Sequence, residues 1–229
     1  MRGPVSGFLS RHRWSLPLAF VATGFFIRLA VELQENELAP FDAAVARVVS
    51  TQRGVGYWDQ AMLGLTRLGD GTTLLAITLV CLSLLTWKER KREALFFALA
   101  TAGTLALSVG LKLAFHRPRP ATDLLYLLTT PASFSFPSGH ALGSTGVLLS
   151  LVVVARALGV RGWYLVATAA TAIATIAGVA TSRIYFGVHF PSDVLGGIWA
   201  GAAWVSGITG WFYPRLLPGE ATAKPPPIG

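Results

Sequence analysis

The sequence predicts an all-α integral membrane bundle of six transmembrane helices with both termini on the cytoplasmic side. Three observations carry this expectation. Of the 229 residues, 53% are hydrophobic, and mean hydropathy is +0.56. Charged residues are 13% of the chain, about half the ~25% of a soluble domain. Apolar runs of about the 17–25 residues that span a bilayer recur six times.

The first run, Ser15–Leu33, is longer than the roughly 7–15-residue core of a secretory signal and has no small-residue cleavage site behind it, so it reads as a retained anchor. The others are Gly71–Trp87, Ala94–Leu111, Gly139–Ala155, Gly162–Thr181 and Val194–Tyr213. The second and fourth are short, and their ends are expected to extend into flanking residues. Residues 34–70 form an outer loop. Within it Phe41, Val45, Val48 and Val49 fall at helical spacing, which predicts an amphipathic helix on the membrane surface. The tail from 216 to 229 ends in KPPPIG and is expected to be disordered. No repeat or second domain is visible, so residues 1–229 read as one unit.

Orientation follows from the basic residues of short loops. With residues 1–14 cytoplasmic, the inner segments hold Arg2, Arg11, Arg13, Lys88, Arg90, Lys91, Arg92, Arg156, Arg161, Arg215 and Lys224, which is 11 of the 19 Lys and Arg residues. The net charge of +8 is therefore topological rather than a nucleic-acid stripe, and no nucleic-acid partner is expected. Cys81 is the only cysteine, which excludes an internal disulfide and a CxxC metal site. The expected location is the cell (cytoplasmic) membrane, as a multi-pass protein.

Some polar residues do not fit a purely topological account. Lys112, His116, Arg117 and Arg119 lie at the outer end of the third run, within LKLAFHRPRP. Ser138, Gly139 and His140 open the fourth, and Arg183, His189 and Asp193 lie between the fifth and sixth. Asp123 belongs to the same edge. Singly, each has an ordinary explanation. Lys112 suits a snorkel, RPRP a helix stop, Ser138 an N-cap, and His189 with Asp193 an i,i+4 pair. Together they place three distant segments at one membrane face.

Clustered cations repel unless an anion binds among them, and Arg grips phosphate through a bidentate fork while Lys acts as a point charge. Ser138 and the Gly139 N–H stand at a helix N-terminus, where free N–H groups and the dipole favour an anion. Two histidines beside such a cradle suit phosphoryl transfer: one attacks phosphorus, and an acid protonates the leaving oxygen. Asp193 would hold the second ring proton of the attacking imidazole. Three cations make a metal unnecessary, and the sequence has no carboxylate cluster for Mg²⁺. No cofactor is expected.

These residues resemble the signatures of the type 2 phosphatidic acid phosphatase (PAP2) superfamily. KLAFHRPRP fits KxxxxxxRP at Lys112, Arg119 and Pro120, PSGH stands at Pro137–His140, and SRIYFGVHFPSD fits SRxxxxxHxxxD at Ser182, Arg183, His189 and Asp193. The resemblance implies His189 as nucleophile, Asp193 orienting it, and His140 as general acid. Lys112, Arg119, Ser138, Gly139 and Arg183 would hold the phosphate oxygens. It also implies a metal-independent lipid phosphatase opening to the extracytoplasmic side. The substrate would be undecaprenyl diphosphate, phosphatidylglycerol phosphate or phosphatidic acid, and no obligatory protein partner follows. The alternative is a transporter or binding protein for an anionic lipid, since charges in membrane regions often mark transport paths. A site at one surface, with no broken-helix repeat at the midplane, argues against it.

Overall fold

The computed structural model describes residues 15–121, 126, 128 and 132–216. The expected cytoplasmic segment 1–14, Asp123 and the tail beyond 216 lie outside the described residues. Every regular element among them is an α-helix. In chain order these are α1 (Ser15–Gln34), α2 (Ala39–Ser50), α3 (Gly56–Leu68), α4 (Gly71–Trp87), α5 (Lys91–Phe115), α6 (Gly139–Ala157), α7 (Gly162–Tyr185) and α8 (Pro191–Leu216).

The long helices begin and stop where the chemistry asks. Pro40 and Asp42 lie in the first turn of α2, and Glu93 in that of α5, where a carboxylate meets the positive end of the dipole. Helix α5 ends at His116, whose φ of 47° is left-handed, and Pro118 stands two residues beyond. The fourth run extends as expected, α6 reaching Ala157, whereas the second does not: α4 keeps the bounds Gly71–Trp87. Helices α6, α7 and α8 continue into their polar ends, and so does α5 at both of its ends.

Four helices, α1, α5, α6 and α7, are individually long and apolar enough to cross a membrane. Helices α3 and α4 meet at 50° and make a fifth if they are one broken span. Two of the six expected runs therefore do not stand on length and composition alone. Helix α4 has only 17 residues, and the middle of α8 is diluted by Gly196, Gly197, Gly201, Gly207 and Gly210. Outward-facing apolar side chains such as Phe20, Leu105 and Val166 are more than two-thirds exposed, as lipid contact requires.

Helix α8 is the centre of the bundle and packs along α1, α5 and α6. Phe25 of α1 stacks on Trp199 at 4.7 Å, and Trp204 donates to the Ala100 carbonyl of α5 at 2.8 Å. One buried cluster, with Leu74, Leu85, Phe96, Phe97, Val154 and Phe212, joins α4, α5, α6 and α8. A second, with Met62, Tyr185, Phe186 and Val188, ties α3 to the end of α7. The amphipathic helix expected in the outer loop is α2. Its Phe41 and Val48 are exposed, however, and its buried residue is Asp42. Helix α3 was not anticipated.

Small residues let α8 approach the start of α6 closely. A Cβ on Gly197 would stand 2.7 Å from the Ser138 carbonyl oxygen and 3.0 Å from the Leu142 nitrogen, both backbone atoms that cannot step aside. Gly197→Ala is therefore expected to lower stability by about 1–3 kcal/mol in detergent melts. Gly207→Ala, where nothing lies within 4 Å, should leave the melt within its ordinary scatter. Equal melting points for the two variants would contradict this packing.

Candidate active site

The ends of α5, α6, α7 and α8 converge where the three motifs meet. Phe136 is fully buried, with Phe115 at 4.8 Å and Phe26 at 5.9 Å between ring centroids, and this aromatic cluster seats the segment that leads into α6. The Ser138 N–H donates to the Asp193 carbonyl at 2.9 Å, so PSGH is tied to the first turn of α8. Ser138 occupies the cap position of α6, but its hydroxyl makes no capping bond. That hydroxyl is buried without a hydrogen-bond partner. The cap reading thus holds for the backbone and fails for the side chain.

Lys112 reaches this point from α5. A Cβ on Gly139 would lie 3.8 Å from its Cε, and its ammonium donates to the Phe134 carbonyl. Arg119 donates to Ser133 O at 2.7 Å, to Val188 O at 2.8 Å and to the Ser133 hydroxyl at 3.0 Å. Arg183, 4% exposed, donates to the Thr66 hydroxyl of α3 at 2.5 Å, while its Nε has no partner. Arg119 and Arg183 lie close enough to act electrostatically on both His140 and His189. The structure therefore brings all eight expected residues into one neighbourhood.

His189 sits in the loop between α7 and α8, 4% exposed. Its Nδ1 faces Asp193 Oδ2 at 3.2 Å and its Nε2 faces an Arg119 nitrogen at 3.1 Å. A carboxylate only accepts and a guanidinium only donates. The pattern therefore requires the proton on Nδ1 and the lone pair on Nε2. Burial pushes His189 down to about 4, against the pull of Asp193 and with help from Arg119 and Arg183. The ring is neutral at pH 7, in the tautomer a nucleophile needs.

Asp42, Asp59, Thr66 and Asp70 are partners outside the expected set, and Arg117, expected only at the periphery, is bound into the network. Asp70, at the cap position of α4, holds His140 Nε2 at 2.8 Å. Thr66 holds Arg183. Arg117 joins Asp193 at 2.5 Å to Asp42 at 2.8 Å. Asp59 accepts from the hydroxyls of Tyr185 and Tyr126, the latter at 3.0 Å. Asp42, Asp59 and Asp70 are carboxylates in or beside the segment 34–70, expected to hold an amphipathic surface helix, and they are the available signal. His116 lines the cavity on which His189 also lies but is not part of the hydrogen-bond network described above. It turns against Phe134, with ring centroids 4.6 Å apart.

Two cavities reach the histidines. One of about 590 Å³ runs between α4, α5 and α6 past Leu75, Leu79 and Leu105 to Gly139 and His140. The other, of about 750 Å³, lies between α2 and the segment after α5 and has Asp42, Arg117 and His189 on its wall. Among the described residues no group of three or more His, Cys, Asp or Glu is placed to hold a metal.

A neutral buried imidazole beside clustered cations, at one end of an apolar helix bundle, suits a membrane enzyme that handles phosphate. Comparison with known proteins specifies it. A family model described as the PAP2 superfamily matches residues 93–216, and the chain belongs to that superfamily. It is 30% identical over 176 residues to phosphatidylglycerophosphatase B of Bacillus subtilis, covering 76% of this chain and 84% of that one. It is 25% identical over 197 residues to an undecaprenyl-diphosphatase of Sulfolobus acidocaldarius, covering 84% and 87% of the two chains. The crystal structure of a transmembrane PAP2-type phosphatidylglycerolphosphate phosphatase from Bacillus subtilis superposes with a TM-score of 0.76 at 26% identity, over 85% of this chain and 95% of that one. The protein is a membrane lipid phosphatase.

The state of His189 can be read directly. In protein labelled with ¹⁵N-histidine, the ring is expected to show one protonated and one bare nitrogen at pH 6, below the ordinary imidazole midpoint of ~6.5. The doubly protonated pattern should appear only as pH falls toward about 4. An imidazolium signal for this ring at pH 6 would contradict the assignment.

Proposed function

We propose that the protein hydrolyses a lipid phosphate or diphosphate ester through a phosphohistidine, without a metal, at the extracytoplasmic face of the cell membrane. The observation that carries this reading is the Nε2 lone pair of His189, with Nδ1–H held by Asp193 and Arg119 alongside. Nε2 attacks phosphorus, and the bond from phosphorus to the leaving oxygen breaks. His140 enters this step as the imidazolium, its Nε2–H held by Asp70 at 2.8 Å; it gives its Nδ1 proton to the leaving oxygen and is left neutral. A water then gives its proton to His140 and attacks phosphorus from the opposite side. The P–N bond breaks, inorganic phosphate leaves and His189 is restored.

Lys112, Arg119 and Arg183, with the Ser138 hydroxyl and the Gly139 N–H, are suited to the equatorial oxygens, whose charge grows at the transition state. For a diphosphate the leaving group is a lipid monophosphate; for a monoester it is an alcohol. Either is amphiphilic, and the apolar groove ending at His140 suits its hydrocarbon part. The printed functions of the relatives, phosphatidylglycerophosphatase and undecaprenyl-diphosphatase, support these two substrate classes ahead of phosphatidic acid.

Six spans with both termini cytoplasmic remain our reading of the topology, with α3 completing α4 and with α8 crossing despite its glycines. It is supported by the basic residues Lys88, Arg90, Lys91, Arg92, Arg156 and Arg161, which lie at the helix ends remote from the site. The positive-inside rule then puts the site outside.

Purified protein should release inorganic phosphate from lipid phosphates in excess EDTA, and strict Mg²⁺ dependence would sink the metal-free route. His189→Ala is expected to lower turnover by about 10²-fold or more and to prevent trapping of a phosphoenzyme. A panel of diphosphate and monophosphate lipids at equal surface concentration would assign the substrate class.

A further inference from the structure

Arg117 lies outside the motif defined by Lys112 and Arg119, and Asp42 lies 75 residues away in α2. Both are joined to His189 by an unbroken chain of charge. Asp42 Oδ2 accepts from one terminal nitrogen of Arg117 at 2.8 Å. The other terminal nitrogen donates to Asp193 Oδ1 at 2.5 Å, and Asp193 Oδ2 accepts from His189 Nδ1 at 3.2 Å.

Ser192 locks the junction. Its N–H donates to Asp42 Oδ1 at 2.8 Å and its hydroxyl to Asp42 Oδ2 at 2.7 Å, while the same hydroxyl accepts from Arg117 at 2.8 Å. The guanidinium also lies 4.2 Å over the Phe190 ring. Asp42 and Asp193 are 4% and 0% exposed. With both terminal nitrogens engaged by carboxylates, Arg117 has no fork to offer a phosphate. That sets it apart from Arg119.

We infer that Arg117, held by Asp42, is a positioning residue for His189: it fixes Asp193 and neutralises part of its charge, so that Asp193 orients the imidazole without drawing a second proton onto it. An unopposed carboxylate beside Nδ1 would favour the imidazolium, which has no lone pair on Nε2. The groups facing His189 are Asp193 of α8, Arg119 from the segment after α5 and Arg183 of α7, with Asp42 of α2 behind Arg117. Lys112 of α5 acts on Arg119 and Asp193.

The chain predicts opposite signs for its two links. Removing the cation at 117 strengthens the effective charge of Asp193 and makes His189 easier to protonate. Removing the charge at 42 releases Arg117 to neutralise Asp193 more fully, and makes His189 harder to protonate. A merely structural role for either residue would change the amount of folded enzyme and leave the titration where it was.

The inference rests on the phosphohistidine reading, and the test separates the two. Rapid-quench measurement of phosphoenzyme from labelled lipid phosphate is made on the full chain in detergent from about pH 4 to 8, the range in which imidazoles titrate. Substrate ionisation is common to all variants and cancels in the comparison. Arg117→Gln should slow phosphorylation roughly 10–100-fold, as loss of an outer partner of a functional histidine does, with its acid limb moved to higher pH. Asp42→Asn should also slow it, with the limb moved to lower pH. KM should stay near wild type in both. Arg117→Lys, which keeps the charge and loses the fork, should leave the limb in place while the rate falls, and it carries the test if the glutamine variant does not fold. A wild-type enzyme that is phosphorylated, with the limbs of Arg117→Gln and Asp42→Asn unmoved, overturns this inference alone. A wild type that turns over with no phosphoenzyme overturns both readings.

Discussion

The buried carboxylate of Asp193 is the constraint on which the rest of the site depends. It accepts from the Phe190 N–H at 2.9 Å, from His189 at 3.2 Å and from Arg117 at 2.5 Å. Its own carbonyl takes the Ser138 N–H at 2.9 Å. One residue thereby touches all three segments that form the site, and through Arg117 it reaches α2 as well. Removing one partner of a buried ion pair costs about 3–5 kcal/mol, because the other is left as an uncompensated charge. The convergence of the helix ends and the ionisation of Asp193 are therefore one condition.

The cations are held in an equally constrained way. Lys112, Arg119 and Arg183 would push one another apart, yet each is fastened to an oxygen on the frame: Phe134 O, Ser133 O and Val188 O, and the Thr66 hydroxyl. These anchors are neutral dipoles rather than carboxylates. They fix direction without cancelling charge, so the positive field remains available to a phosphate, which is what preorganised electrostatic catalysis requires. Asp193, Asp42 and Asp70 make their close contacts to Arg117 and the histidines instead. Asp193 still acts at longer range on Lys112 and Arg119, and Asp70 on Arg183, so the three cations feel negative charge without being tied to it.

How much of this was legible in the sequence follows from which interactions are local. The apolar runs and the motif spacings were readable because hydropathy and i,i+4 geometry are properties of single helices, and His189 with Asp193 is such a pair. Helix ends are less legible for a physical reason. Hydropathy falls where Lys112, Arg183 and Asp193 begin, although the backbone continues as helix because the charges there are paired or anchored. The contacts from Asp42 to Arg117 and from Asp70 to His140 span 75 and 70 residues, and no periodicity encodes them. The break between α3 and α4 was equally hidden, since Gly69 and Asp70 look like an ordinary turn before a span.

That break sets the shape of the connection between α1 and α4. A Cβ on Gly69 would meet Val179 of α7 at 2.4 Å and the His140 ring at 3.2 Å, so the bend is pressed directly against the proposed acid. Thr66 from the end of α3 holds Arg183, and Asp70 at the start of α4 holds His140. In a straight helix these two side chains would stand one above the other on the same face, about 6 Å apart along a single axis, because four residues make about one turn. Bending by 50° lets one short stretch supply a neutral anchor to Arg183 and a carboxylate to His140. The same bend leaves α4 too short to span alone, so the feature that weakens it as a membrane helix is the one that completes the site.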